Sequence, residues 1–146
     1  MQIEIITDPS YKQIKVVIYT DEVNDEVHAL VKRLSDETPK LLSGFRDNAI
    51  ELLDPSEVIR IYSSAGKVFA ATRDGEYTLR LRLYEAEDRL AKSDFVRVSV
   101  SEIINLRKVK NFNLNFAGTI CVTFSDSSKS YVSRRYVAEI KKVLGI

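Results

Sequence analysis

Punctuation constrains this chain more than any single motif does. From Leu41 onward, short alternating or β-branched runs are cut by turn-forming residues at intervals of roughly eight to twelve positions. Leu41–Phe45 and Ala49–Leu53 read as two short strands around Arg46-Asp47-Asn48. Asp54–Glu57 is a turn or a single helical turn. Val58–Tyr62, Val68–Thr72 and Tyr77–Leu81 follow as strands, separated by the small-residue turn Ser63–Lys67 and by Arg73-Asp74-Gly75-Glu76. Asn111–Phe116, Thr119–Phe124 and Ser130–Val132 are three further strands, joined by turns at Asn115–Gly118 and Ser125–Lys129. Such a rhythm predicts an antiparallel, strand-rich domain.

Helical spacing interrupts the rhythm in three places. Val23, Val27, Leu30, Val31 and Leu34 recur at intervals of three and four, predicting a helix over 22–36 with Thr20 or Asp21 as N-cap. Leu83, Ala86, Leu90 and Ala91 predict a second over 83–92. A third is expected over 134–144, capped by Ser133 and stopped by Gly145. Ahead of the first helix, residues 2–7 and the run Lys15–Thr20 read as strands, and Thr38-Pro39 closes the segment. The fold class is therefore α+β and strand-rich. A small N-terminal β-β-α unit (residues 1–42) precedes the main domain (residues 43–146).

Hydrophobic residues make up 45% of the chain and charged residues 29%, a balance that supports a buried core. No apolar run is long enough to span a bilayer, and Met1–Asp8 lacks the basic and apolar regions of a secretory signal. The single cysteine, Cys121, has no internal disulfide partner, which fits a reducing cytoplasm; its alternating run favours a buried small hydrophobe over a reactive thiol.

The net charge of +1 hides an asymmetry. Residues 1–92 carry 13 basic and 17 acidic side chains, whereas residues 93–146 carry 9 and 4. The C-terminal third is the end that a polyanion would approach.

Catalytic chemistry finds little support. There is no glycine-rich phosphate loop, no HExxH, no CxxC and no GxSxG. His28 is the only histidine and has no second ligand near it, so neither an enzyme nor a metal or cofactor site is expected. Duplex DNA is a better match. Ser63, Ser64 and Lys67 lie in one turn and Ser99 and Ser101 in another. Lys108 and Lys110 follow, and Arg134 and Arg135 open the last helix. Arg and Lys donate to guanine edges or phosphates, and serine suits either. No helix bears a basic stripe of the length that a recognition helix needs. The same residues also fit solvated loops.

Phe95-Val-Arg-Val-Ser-Val-Ser-Glu-Ile-Ile-Asn105 opens with strand alternation and passes two serines. Either serine can cap a short helical turn that has Glu102 in it. This stretch resembles the central signature of the LytTR DNA-binding domain, and Tyr131-Val-Ser-Arg-Arg-Tyr-Val-Ala-Glu-Ile140 resembles that family's closing element. The likeness runs over roughly residues 45–146. It implies an elongated antiparallel β domain that places loops, not a helix, into successive major grooves. The contact loops map to Ser63–Lys67, to Ser99 and Val100, and to Arg135 with Arg134 beside it. Asn105 matches the family's asparagine, with a structural or phosphate role.

Two departures stand out. Where the family commonly carries a polar residue followed by Arg, Lys or Asn, this chain has Ser99 and Val100. The phospho-acceptor domain of many members is also absent from the residues ahead of the signature. The expectation is a cytoplasmic, sequence-specific regulator of transcription that binds double-stranded DNA, as on paired direct repeats. Further partners are a second copy of the chain or a membrane regulatory protein, with no small-molecule substrate. The alternative is a protein-interaction module on the same scaffold. A salt bridge from Arg135 to Glu139 is the structural alternative to DNA contact at that position.

Overall fold

The computed structural model describes residues 1–35, 41–114 and 118–146. The chain divides into two units, Met1–Glu37 and Thr38–Ile146. The expected closing Thr38-Pro39 lies outside the described residues, as do the last two residues of the expected strand Asn111–Phe116 and most of the turn after it.

Among the described residues of the first unit, only the helix forms. Helix α1 spans Asp25–Ser35 and starts later than predicted. Its cap is Asn24, whose Oδ1 accepts the Val27 N–H at 3.1 Å. Thr20 and Asp21 instead close a turn on Glu22, through the Thr20 hydroxyl to the Glu22 carbonyl and the Glu22 N–H to the Asp21 carboxylate. Acidic residues open the helix and basic ones end it, in line with its dipole. His28 is exposed on it. The strands expected at 2–7 and 15–20 are absent, and Ile5 and Tyr19 stay 85% and 92% exposed. β-Branched composition stabilises a strand only when neighbours pack on it, and an isolated pair of strands is marginal in water.

The second unit holds two antiparallel sheets. Its strands are β1 (Leu42–Arg46), β2 (Ala49–Leu53), β3 (Val58–Ser64), β4 (Lys67–Thr72), β5 (Gly75–Leu79), β6 (Phe95–Ser99), β7 (Glu102–Asn105), β8 (Val109–Leu114), β9 (Ile120–Phe124) and β10 (Lys129–Val132). The large sheet has the order β2-β1-β5-β4-β3-β7-β6 and the small one β10-β9-β8. Helix α2 spans Leu83–Arg89 and helix α3 spans Arg134–Leu144. Gly145, at a φ of 75°, ends α3 as expected. Asp47 and Asn48 close β1–β2, and Ala65 and Gly66 close β3–β4, each pair with positive φ at both positions. That geometry matches the twist of a two-residue hairpin.

The large sheet separates two cores. One holds Leu42, Val58, Ile61, Tyr77 and Ile103 with Leu83 and Ala86 of α2. The other holds Ile59, Val98 and Ile104 with Ile120, Val122, Phe124 and Val132 of the small sheet and Ile140 of α3. A bulge between Val58 and Arg60 puts Val58 and Ile61 on the same side although they are an odd number of residues apart.

Residues 102–105 therefore form a strand, where a serine-capped helical turn was a candidate. Ile103 and Ile104 face opposite cores, so a strand buried on both sides shows adjacent apolar residues in place of alternation. Cys121 is only half-buried, because it points away from the second core between Ile120 and Val122.

Candidate nucleic-acid interface

Antiparallel pairing of β3 with β7 sets Tyr62 opposite Glu102, so the β3–β4 turn and the β6–β7 turn emerge at the same end of the sheet. The Ser63 N–H donates to the Ser101 carbonyl at 2.8 Å. On the other side of the hairpin, the Ser133 N–H donates to the Val98 carbonyl at 2.9 Å. Those two backbone hydrogen bonds tie the three expected contact segments together: Ser63–Lys67, Ser99–Ser101, and the start of α3.

The three segments differ in local chemistry. Ser64 pairs with Lys67 across the first turn, which leaves Ser64 and Lys67 exposed and Ser63 half-buried. In the second, the Ser99 Oγ accepts the Ser101 N–H at 3.2 Å and lies 3.4 Å from the Ser101 Oγ. Val100 at this turn is 64% exposed. In the third, Ser133 occupies the N-cap position with extended backbone but makes no side-chain cap hydrogen bond. The first turn of α3 holds no acidic residue, and Arg134 and Arg135 are both exposed there. Two cations beside uncapped N–H groups make a locally positive end, which costs helix stability about 0.3–1 kcal/mol per charge and favours an anion.

Several charges of the sheet beneath and beyond the loops are paired. Glu102, at the base of the second turn, pairs with Arg60. Arg60 also sits 4.4 Å above the Tyr62 ring, which stacks on Phe69 at 5.3 Å. The Tyr62 hydroxyl donates to Glu76 at 2.6 Å. Burial, and then the hydrogen bond and charge of Glu76, push the Tyr62 phenol up to about 12. Arg107 pairs with Asp94, and Arg97 with Glu87 at 3.6 Å. Among the described residues, Lys67, Arg134 and Arg135 take part in no ion pair, and no carboxylate of Glu139 lies within 4.0 Å of Arg135. The expected alternative for Arg135 is thus not formed.

Two expected contact residues lie elsewhere. Asn105 is buried: its Nδ2 donates to the Val58 carbonyl at 2.9 Å, and its Oδ1 accepts the Arg107 N–H at 3.0 Å. Both ends of the amide are held by backbone, so Asn105 joins β7 to β3 from inside. Lys110 is exposed on β8, where the register sets it against Phe124 and Thr123. Val132, which leads into α3, pairs instead with Ile120 at the opposite end of β9. Four residues of strand, roughly 13 Å, separate the two ends.

Sequence reasoning missed the Arg60–Glu102 pair and the carbonyls of Val98 and Ser101 as binding elements of the frame. Arg60 and Glu102 are 42 positions apart, and no short-range pattern joins them. Among the described residues, no group of three or more His, Cys, Asp or Glu side chains is placed to hold a metal ion.

Residues 48–145 match the LytTr DNA-binding domain family. An uncharacterized HTH-type transcriptional regulator of Staphylococcus aureus (strain bovine RF122 / ET3-1) is 31% identical over 147 residues, covering 100% of this chain and 99% of its own length. Its counterpart in strain NCTC 8325 / PS 47 is 30% identical over the same span. In this chain, strands lie between every two successive helices, so the described residues hold no helix-turn-helix pair. A solved LytTr DNA-binding domain from Bacillus cereus superimposes with a TM-score of 0.70 at 20% identity, covering 73% of this chain and 98% of that one. The three tied loops sit on that same fold, and the chain belongs to the LytTR family of DNA-binding domains.

Proposed function

We propose that this chain is a cytoplasmic transcriptional regulator that binds specific sites on double-stranded DNA by placing loops in the major groove. The observation that carries this reading is the pair of backbone hydrogen bonds, Ser63 to Ser101 and Ser133 to Val98, which gathers three loops and three unpaired cations at one place. A two-stranded hairpin fits a major groove about 12 Å wide. Lys67 and Arg134 then serve as phosphate contacts, and Arg135 donates to a guanine edge. Ser63, Ser64 and Ser101 supply hydroxyls to phosphates or bases, and Ser99 holds its turn. Asn105 contributes by bracing the hairpin, and Lys110 stands outside the interface. The reading includes no catalytic step and no small-molecule substrate.

Residues 1–42 are the proposed seat of regulation. Val31 and Leu34 of α1 are 45% and 42% exposed, which supports contact with a second copy of the chain or a membrane regulatory protein. Paired direct repeats are the DNA arrangement that two such copies would occupy. Deleting residues 1–40 is expected to weaken cooperative binding while single-site binding persists.

The test is selection of bound sequences from a random duplex library, followed by a salt titration on the winner. Each neutralised phosphate should lower log K by about 0.9 per unit of log salt. Affinity that ignores salt would favour a protein-interaction module on the same scaffold.

A further inference from the structure

One feature of the interface is out of character with its surroundings. Val100 is 64% exposed in a turn flanked by serines and tied to loops that carry Lys67, Arg134 and Arg135. A single exposed apolar side chain is ordinary by itself. This one is held in place from several directions. Ser99 Oγ accepts the Ser101 N–H, the Ser101 carbonyl accepts from Ser63, and the Val98 carbonyl accepts from Ser133. Neither Val100 nor Ser101 adopts a positive φ, unlike the residues closing β1–β2 and β3–β4. Valine is also restricted at χ1, so its two methyl groups sample few orientations.

We propose that Val100 reads a thymine, packing its methyl groups against the C5-methyl in the major groove. The proposal deepens the DNA-binding reading above and rests on it. The thymine methyl is the one apolar group that base edges present in that groove. Valine has no donor or acceptor. Pressed on guanine, adenine or cytosine it would strip water from N7, O6, N6 or N4 and give no hydrogen bond back, which penalises those bases. The Ser99 Oγ is engaged by the Ser101 N–H, so beside the Ser101 hydroxyl the turn presents the Val100 methyls to a partner. Nearby cations would hold the backbone while the valine tests the base.

The experiment uses the full chain and the duplex that it selects from a random library. Each thymine of that duplex is replaced in turn by deoxyuridine, which removes the methyl and nothing else. At one position of the site, affinity should fall about fourfold, the equivalent of ~0.8 kcal/mol for one buried methyl. Val100→Ala, with an unchanged melting temperature, should bind the thymine and uracil duplexes at that position equally. Wild-type protein indifferent to every uracil substitution would overturn the proposal, as would a Val100→Ala protein that keeps the full uracil penalty. In both cases DNA binding itself still stands. A library with no enriched sequence would instead remove the DNA-binding reading, and this role with it.

Discussion

The β6–β7 hairpin has a root and a tip, and the two obey different rules. At the root, Ile104 is fully buried, its neighbour Ile103 enters the opposite core, and Asn105 has both ends of its amide on backbone. At the tip, Val100 is mostly exposed and the serines bond to each other and to their own turn. Side chains at the root are chosen by the protein's interior. Those at the tip are free of it, and their identity can be chosen by whatever the hairpin touches. Substitutions at the root should therefore register as stability and those at the tip as recognition.

The largest effect should come from the root. Ile104→Ala empties part of the second core and should cost about 2–5 kcal/mol, read as a lowered denaturation midpoint. A cost below ~1 kcal/mol would mean that the small sheet closes over the gap and that the second core is soft. Asn105→Ala should come next. It leaves the buried Val58 carbonyl without its side-chain partner, at about 1–3 kcal/mol, while the N–H of the exposed Arg107 can turn to water. If this variant kept its melting temperature and lost only DNA affinity, the division between root and tip would be broken, with Asn105 on the side of contact.

Arg135→Ala probes the other side of the division. Its melting temperature should stay within a few degrees, because no ion pair is lost. Affinity for the selected site should fall by about 1–3 kcal/mol, and for random DNA by less. Equal losses on both DNAs would make Arg135 a phosphate contact. The smallest effect at neutral pH belongs to Tyr62. Its phenol titrates near 12 in the folded chain, above the usual value of 10. Its stabilising contribution is complete below pH 10 and fades as pH rises toward 12. Tyr62→Phe should therefore flatten the alkaline limb of the stability curve. An unchanged limb would remove Tyr62 from the frame beneath the first loop.

How much of this was legible beforehand depends on the range of the interaction. The turns at Asp47-Asn48 and Gly66, the order of the strands in the chain, and the Ser133 and Gly145 boundaries of α3 follow from local chemistry. All are visible in a few consecutive residues. Strand β7 was not, because burial on two faces erases the alternation that marks a strand. The N-terminal strands failed for the converse reason: Ile3, Ile5, Val16 and Val17 alternate or cluster correctly, but their unit builds no sheet around them and they stay exposed. Within the site, the three loops could be found by motif. Their joining could not, since Ser63 reaches Ser101 through backbone atoms, which carry no sequence signal. Asn105 shows the limit from the other direction, because its residue type suits a DNA contact and only its burial assigns it to the frame.

The two ties that gather the loops use only N–H and C=O groups. Such bonds are indifferent to the side chains at Ser63, Ser101 and Ser133, provided that neither donor, Ser63 nor Ser133, becomes proline, while Val98 is fixed by the second core. The lettering on the loops can therefore be rewritten without moving the type bed that holds it. A lineage of such regulators can drift from one operator to another through single substitutions at the tips, each passing through a folded intermediate. An engineer could exploit the same freedom by randomising Lys67, Val100 and Arg135 together and selecting for new sites, with the hairpin root left untouched.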